Sequence, residues 1–364
     1  MRQLIAPRPA PRRIAGPLPW LRRNLFSSVP NALASLLLLA LLAWLAPALW
    51  RWAVAHAVFV PDADRCQAAR GIGACWGVIR EKATFILLGR YPQGDAWRPV
   101  LGTFALLAPV FASCSRRCWR PWLVLVWIAG LAGFFVLMGG GVLGLAPVPT
   151  DRWGGLPLTI LLSVVSMALA FPIAVAVALG RRSNLPAIKS LCVVYIELVR
   201  GVPLISVLFM ASFMLPLFMP VGKSPDVLLR VVIGITLFAA AYMAEIIRGG
   251  LQTLPRGQLE AAASLGLGYW QTQRKIVLPQ ALSAVVPGIM NNFISLLKDT
   301  SLVTIVSLYE LTGALQLALG SDPNWRPFKI EAYIFIAAIY FAICFSMSRY
   351  SLRIEKRLAR SHAH

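Results

Sequence analysis

The stretch whose reading decides the fold is LEAAASLGLGYWQTQRKIVLP, Leu259 to Pro279. It is polar, carries Arg274 and Lys275, and lies between two apolar runs at 227–247 and 286–306. Pro255 is tolerated at a helix start, and Glu260, Ala261, Ala262 and Ala263 are mostly strong helix formers. Gly266 and Gly268 are expected to supply an end and a tight turn. A second helical run, WQTQRKIVLPQAL, then returns to the membrane. The expectation is a helix–turn–helix elbow against the bilayer surface. Its small Ala face admits another surface closely, with Tyr269, Trp270 and Ile276 as anchors. Such an elbow transmits a push from a cytoplasmic partner into the two spans it joins.

Outward from this segment the chain is oily. Of 364 residues 58% are hydrophobic and only 13% charged, which places it among polytopic helical membrane proteins. A β-barrel would show short alternating segments instead. The formal charge of +21 does not indicate nucleic acid, because the basic residues cluster between or beside apolar runs. Apolar runs of spanning or near-spanning length occur at 31–50, 99–113, 122–145, 156–179, 190–219, 227–247, 286–306 and 331–348. These predict an all-α membrane protein of about eight transmembrane helices, with both termini on one side. Basic clusters at Arg12, Arg13, Arg22 and Arg23, in SRRCWR (115–120), in RRS (181–183), in the elbow and after Arg349 alternate correctly for the cytoplasm. The segment 51–98 dissents, with seven Lys or Arg against four acids on the expected outer side, but a loop that long follows the rule weakly.

The N-terminus is rich in Pro and Arg, and no small-residue cleavage motif follows its apolar run, so the first span is expected to stay uncleaved. GLAPVPTDRWGG, Gly144 to Gly155, suggests a boundary between an extension (1–154) with three spans and a loop, and a second part (155–364) with five spans and all the candidate machinery. Cys66 and Cys75 lie in the first long loop, where a disulfide is possible if that loop is exported. Cys114 and Cys118 have no His or acid beside them and are expected simply to pack. His56, His362 and His364 are too scattered for a catalytic or metal site. VGKS at Val221–Ser224 lacks the upstream glycine of a phosphate loop, since position 217 is Leu.

Glu260-Ala261-Ala262, then Gly266, then Ile276, Leu278 and Pro279 resembles the EAA loop of ABC-importer permeases. YIELVRGVPLISVLF (195–209), AAYMAEIIRGGLQTLPRGQLEAAASLGLGYW (240–270) and NNFISLLKDTSLV (291–303) resemble the polar-amino-acid branch of that family. The whole chain, including GRYPQGDAWRP (89–99), is similar to the M-type permeases of general L-amino-acid importers. The resemblance implies a five-helix type I permease core and an elbow, about 249–285, that docks on an ATPase subunit. It makes Glu260, Ala261, Ala262, Gly266, Ile276, Leu278 and Pro279 the coupling residues. It also implies a periplasmic amino-acid-binding protein, L-amino acids as substrate, and a bacterial inner membrane location. ATP would be used by the partner ATPase dimer, with no cofactor or metal bound by this chain and no catalytic residue of its own. One elbow and five core spans make half a pathway, so a second permease is expected, the Q-type sister subunit.

Charged residues at membrane depth are functional candidates. Offsets of three and four put Asn292, Ser295 and Asp299 on one face, overlapped by Asn291, Ser295 and Lys298, as a candidate pathway lining. The alternative is that Lys298 and Asp299 pair and merely fix packing. Glu245 with Arg248, and Glu197 with Arg200, have ion-pair spacing near cytoplasmic span ends. Gly201 and Pro203 suggest a break that makes Glu197, Arg200, Gly201 and Pro203 a candidate gate or kink. A secondary, ion-coupled amino-acid transporter would want two related halves with paired broken helices, and no such pairing is visible. A membrane-embedded enzyme would need a convergent nucleophile or metal set, which the scattered histidines do not offer.

Overall fold

The computed structural model describes residues 17–220 and 222–361. Arg12, Arg13, Val221, His362 and His364 lie outside the described residues. No β-strand forms among the described residues, only the isolated bridges Val58–Cys75 and Gly155–Glu310. The chain divides into two compact units, up to Gly77 and from Val78.

The first unit holds α1 (Pro17–Asn24), α2 (Val29–Trp50) and α3 (Ala63–Ala68). Ser28 caps α2 by accepting from the Asn31 N–H. A π turn, Arg51–Ala55, carries the helix on, so the first span runs Val29–Ala55 rather than stopping at Trp50. At 1.5 Å per residue it exceeds the ~30 Å of hydrocarbon it must cross. Beyond it the backbone folds back: the Val58 N–H donates to Ala74 O (2.8 Å) and the Gly77 N–H to Val58 O (3.1 Å). This brings Cys66 and Cys75 together as a disulfide with Cα atoms 5.4 Å apart, both side chains fully buried. Alkylation under denaturing conditions should therefore modify four cysteines (Cys114, Cys118, Cys192, Cys344) before reduction and all six after it, read by mass spectrometry. Six modified before reduction would refute the bridge. Cys114 is exposed and Cys118 half-buried, so the expectation that both pack away does not hold.

The second unit begins with α4 (Gly77–Leu88), α5 (Trp97–Ser113), α6 (Trp122–Gly139) and α7 (Gly155–Arg181). Next come α8 (Pro186–Gly201), α9 (Leu204–Phe209, prolonged through π and 3₁₀ turns to Phe218) and α10 (Val227–Gln252). The short α11 (Arg256–Ser264) and α12 (Tyr269–Thr272) follow, then α13 (Leu278–Asp299), α14 (Leu311–Gly320) and α15 (Lys329–Ser361). Over the described residues, six helices are long and apolar enough to cross a membrane, or seven with α8–α9 taken as one broken span. The eighth expected span, 99–113, is α5. It has 17 residues and carries Arg98, wholly buried, in its first turn. Arg98 is buried because it completes another helix: Nε donates to Leu137 O (2.7 Å) and Nη1 to Ala146 O (2.9 Å). Tyr91 Oη adds a bond to Met138 O (3.0 Å). Together they serve carbonyls at and just beyond the C-terminal turn of α6, which ends at Gly139 rather than near 145.

The expected boundary at 154/155 falls inside the second unit, because α5 packs on both α6 and α7. Leu106 of α5, with Phe134 and Met138 of α6, shares one buried cluster with Leu158 and Leu161 of α7. The centre of the unit is the α7–α10 pair. Ala170, Ala174 and Ala178 on α7 are buried, as are Ala239, Ala240 and Ala244 on α10, and small residues of this kind let membrane helices approach closely.

The 190–219 run is not one continuous helix. Its helix bends by 103° between Gly201 and Leu204. Proline disfavours helical geometry in the residue before it, and Val202 accordingly adopts an extended conformation (φ −110°, ψ 136°) ahead of Pro203.

Candidate functional site: the elbow, the polar face of α13 and a charge cluster

α10 reaches Gln252, and only Thr253–Pro255 separate it from α11. The N–H groups of Leu265 and Leu267 close the end of α11 on Ala261 O (3.2 Å) and Ala262 O (3.1 Å). Between them Gly266 sits at φ +70°, the left-handed region that glycine enters without cost. Gly268 does not share this role. Its φ is −68°, and its N–H donates to Gln271 Oε1 (3.3 Å) at the start of α12. A π turn, Gln273–Val277, then joins α12 to α13.

The elbow is pinned at its neck. A Cβ on Gly250 would lie 2.6 Å from Ala281 O, so α10 and α13 touch backbone to backbone there. Ala262, Thr272, Val277 and Ala281 are buried beneath it, and Ile276 and Leu278 are half-buried. Glu260, Ala261, Gly266 and Pro279 are exposed, as are Leu265, Tyr269 and Trp270. The Glu260 carboxylate joins no hydrogen bond or ion pair among the described residues. The tip of the elbow thus offers a carboxylate, small side chains and two aromatic rings to whatever approaches it.

α13 starts at Leu278, with Pro287 inside it. Asn291, Ser295 and Lys298 are exposed along one face, while Asn292 and Asp299 are half-buried beside it. Asn292 Oδ1 is buried without a hydrogen-bond partner. Neither Lys298 nor Asp299 forms a salt bridge among the described residues, so the mutual or neighbouring pairing weighed as an alternative is not observed. An exposed ammonium on a spanning helix needs water or another chain against it.

Next to the elbow, Arg248 Nε donates to Glu245 Oε1 (2.9 Å), as the i,i+3 spacing predicts. Glu197 does not pair with Arg200. It meets Arg181 of α7 at 3.2 Å, while the Arg200 guanidinium lies 5.6 Å over the Tyr242 ring. Arg181 also meets Glu245 at 2.8 Å, and Arg182 Nη1 donates to Leu251 O (2.9 Å). Sequence reasoning used Arg181 and Arg182 only as markers of topology.

A second group it missed is at the opposite end of the unit. Glu310 is wholly buried, and its Oε1 accepts from the Thr312 N–H (2.8 Å) and Gly313 N–H (2.9 Å), capping α14. Its Oε2 accepts from Tyr340 Oη (2.8 Å) on α15 and Thr159 Oγ1 (3.3 Å) on α7. The signal available was a lone acid in the apolar stretch SLYELTG. Beside it, the Gly155 N–H donates to Tyr309 O (2.9 Å) at φ +61°, where a Cβ would strike Leu87 O at 2.1 Å. Lys82 of α4 holds Asp322 at 2.7 Å at this end, and the hydrogen-bonded ammonium keeps the Asp322 carboxyl below its ordinary range. A carboxyl whose pKa is lowered on folding stabilises at pH above its unfolded value, so this tie persists at neutral pH and fails only in acid.

Residues 170–360 match the family of binding-protein-dependent transport system inner membrane components. The chain belongs to that family. It is 45% identical over 359 residues to the inner membrane amino-acid ABC transporter permease protein YhdY of Escherichia coli (strain K12), covering 96% of this chain and 95% of that one. It is 38% identical over 425 residues to the glutamate/glutamine/aspartate/asparagine transport system permease protein BztC of Rhodobacter capsulatus, covering 99% and 98%. A crystal structure of an amino acid ABC transporter with histidines aligns at a TM-score of 0.50 and 32% identity, over 56% of this chain and 92% of that one. The fold is that of an ABC-importer permease, and the chain is a transporter subunit rather than an enzyme. The ion-coupled alternative finds no support.

Proposed function

We propose that this chain is the M-type permease of an ABC importer for L-amino acids. It forms half of the translocation pathway with a Q-type sister permease, receives substrate from a periplasmic amino-acid-binding protein, and binds neither cofactor nor metal. ATP is consumed by an ATPase dimer docked on the elbow. The observation that carries this reading is the exposed Glu260–Ala261 surface on an elbow pinned at both ends to the spans α10 and α13. The exposed polar row Asn291, Ser295 and Lys298 is then the pathway lining, completed by the sister chain. The names of the relatives support amino acids as the cargo.

In the same reading both termini face the cytoplasm and the 51–98 segment faces the periplasm. A disulfide suits that oxidising side. Cysteine labelling in intact cells should find 255–280 inside and 51–98 outside, and labelling of both from one side would overturn the topology. The function is tested by affinity purification in mild detergent followed by reconstitution. An ATPase and a second permease should co-elute, and amino-acid uptake should require ATP and the binding protein. Uptake by the purified chain alone, driven by an ion gradient, would defeat the proposal.

A further inference from the structure

We infer that Arg181 is a positioning residue that couples the elbow to a hinged helix, α8, and that α8 must move for substrate to pass; this rests on the coupling role proposed above. Three features converge on it.

The first is how lightly α8 is held. Ile196 is its single buried side chain, and Leu191 and Leu198 are exposed. Its polar ties to the bundle are Glu197 to Arg181, Tyr195 Oη to Leu237 O (2.5 Å), and the stacking of Arg200 on Tyr242, whose hydroxyl donates to Arg200 O (3.5 Å). The second is the break beyond it. Gly201 has no atom within 4 Å of the position a Cβ would take, and the 103° bend follows immediately. Backbone that is free of neighbours and bracketed by Gly201 and Pro203 is where rotation is least opposed.

The third is the sharing of charge. Arg181 forks between Glu197 on α8 (3.2 Å) and Glu245 on α10 (2.8 Å), while Arg248 competes for the same Glu245. Arg182 holds Leu251 O, one residue before the last helical position of α10 and four before Pro255. A displacement of the elbow therefore shifts Glu245 and Leu251 against α7 and redistributes the hold of Arg181. The arm that yields first is Glu197, whose side chain is 59% exposed against 23% for Glu245, because exposed ion pairs are weak. Release of Glu197 frees α8 to turn about 201–203. Arg181 touches no substrate in this scheme and acts through Glu197.

A staple tests the movement directly. A Cβ built on Gly180 lies 3.9 Å from Cys192 Cβ and 2.5 Å from its Sγ, so Gly180→Cys places a thiol within disulfide geometry of the native Cys192 on α8. In the reconstituted transporter, with ATPase, both permeases and binding protein, oxidation of this variant should lower ATP-driven uptake about tenfold, and dithiothreitol should restore it. Wild type treated identically should be indifferent. Equal uptake before and after oxidation, with the bridge between the introduced thiol and Cys192 verified by mass spectrometry, would overturn the inference. If Gly180→Cys does not assemble, charge variants decide. Arg181→Gln should lower the amount transported per ATP hydrolysed several-fold, Glu197→Gln should reproduce it, and Arg181→Lys should restore much of it. An unchanged ratio in Arg181→Gln overturns the inference. Failure of the wild-type assembly to take up amino acids with ATP would instead sink the functional reading on which this rests.

Discussion

Glu260→Ala will cut ATP-driven uptake by at least about tenfold while leaving the chain folded. The carboxylate is exposed and joins no hydrogen bond or ion pair among the described residues, so the fold is expected to survive its loss. Surface substitutions of that kind change stability by about 0.5 kcal/mol or less. Its value lies in the partner. Truncating one member of a desolvated charge pair at an interface costs about 2–5 kcal/mol, enough to dissociate a weakly held ATPase or to break its stroke. Uptake, co-elution of the ATPase and the thermal midpoint of the purified chain should be measured together. Normal uptake in Glu260→Ala would remove the elbow from the coupling mechanism. Gly266→Val provides the contrast. Its surroundings are open, so any defect comes from forcing a β-branched residue to φ +70°, at about 1–2 kcal/mol or more, and should appear as a misdirected elbow.

Glu310→Ala should destabilise the second unit by about 3–5 kcal/mol. Removing this carboxylate strands two backbone N–H groups at the start of α14 and the hydroxyl of Tyr340 around a wholly buried position. It also removes the side-chain link that joins Thr159 of α7 and Tyr340 of α15 to the start of α14. Glu310→Gln should recover part of the loss, since its amide oxygen still accepts from the two N–H groups and the Tyr340 hydroxyl is free to turn. The comparison is made by thermal unfolding in detergent. A midpoint for Glu310→Ala close to that of wild type would show that water or neighbouring side chains replace the carboxylate at little cost.

Where sequence and structure agree, the determinants are local. The elbow was legible because a glycine-dependent turn and six further residues stand at fixed offsets within about twenty positions. The long spans were legible because hydropathy needs no partner. What escaped notice depends on distant groups. Arg98 shortens the apolar run of α5, and its burial makes sense only beside the carbonyls of Leu137 and Ala146. Glu197 has Arg200 at helical spacing, yet the 103° bend takes the chain away just beyond Arg200, and the partner is Arg181 at the end of the preceding helix. Glu310 acquires its importance from Thr159, 151 residues earlier, which no periodicity could announce. The boundary expected at 154/155 followed a Pro- and Gly-rich stretch, whereas α5 packs on both α6 and α7 and keeps all three in one compact unit.

The α5–α6 pair also has a consequence for how an assembled transporter would look. The solved amino acid transporter chain aligns with only 56% of this one, almost its entire length, so a permease of that size has no counterpart for much of the remainder. If the second permease were of that shorter length, α5 on α7 and α6 on α5 would form a flange on one flank only. Such a particle has no true twofold axis. In projection images the flange would serve as a built-in landmark that distinguishes one half of the pore from the other.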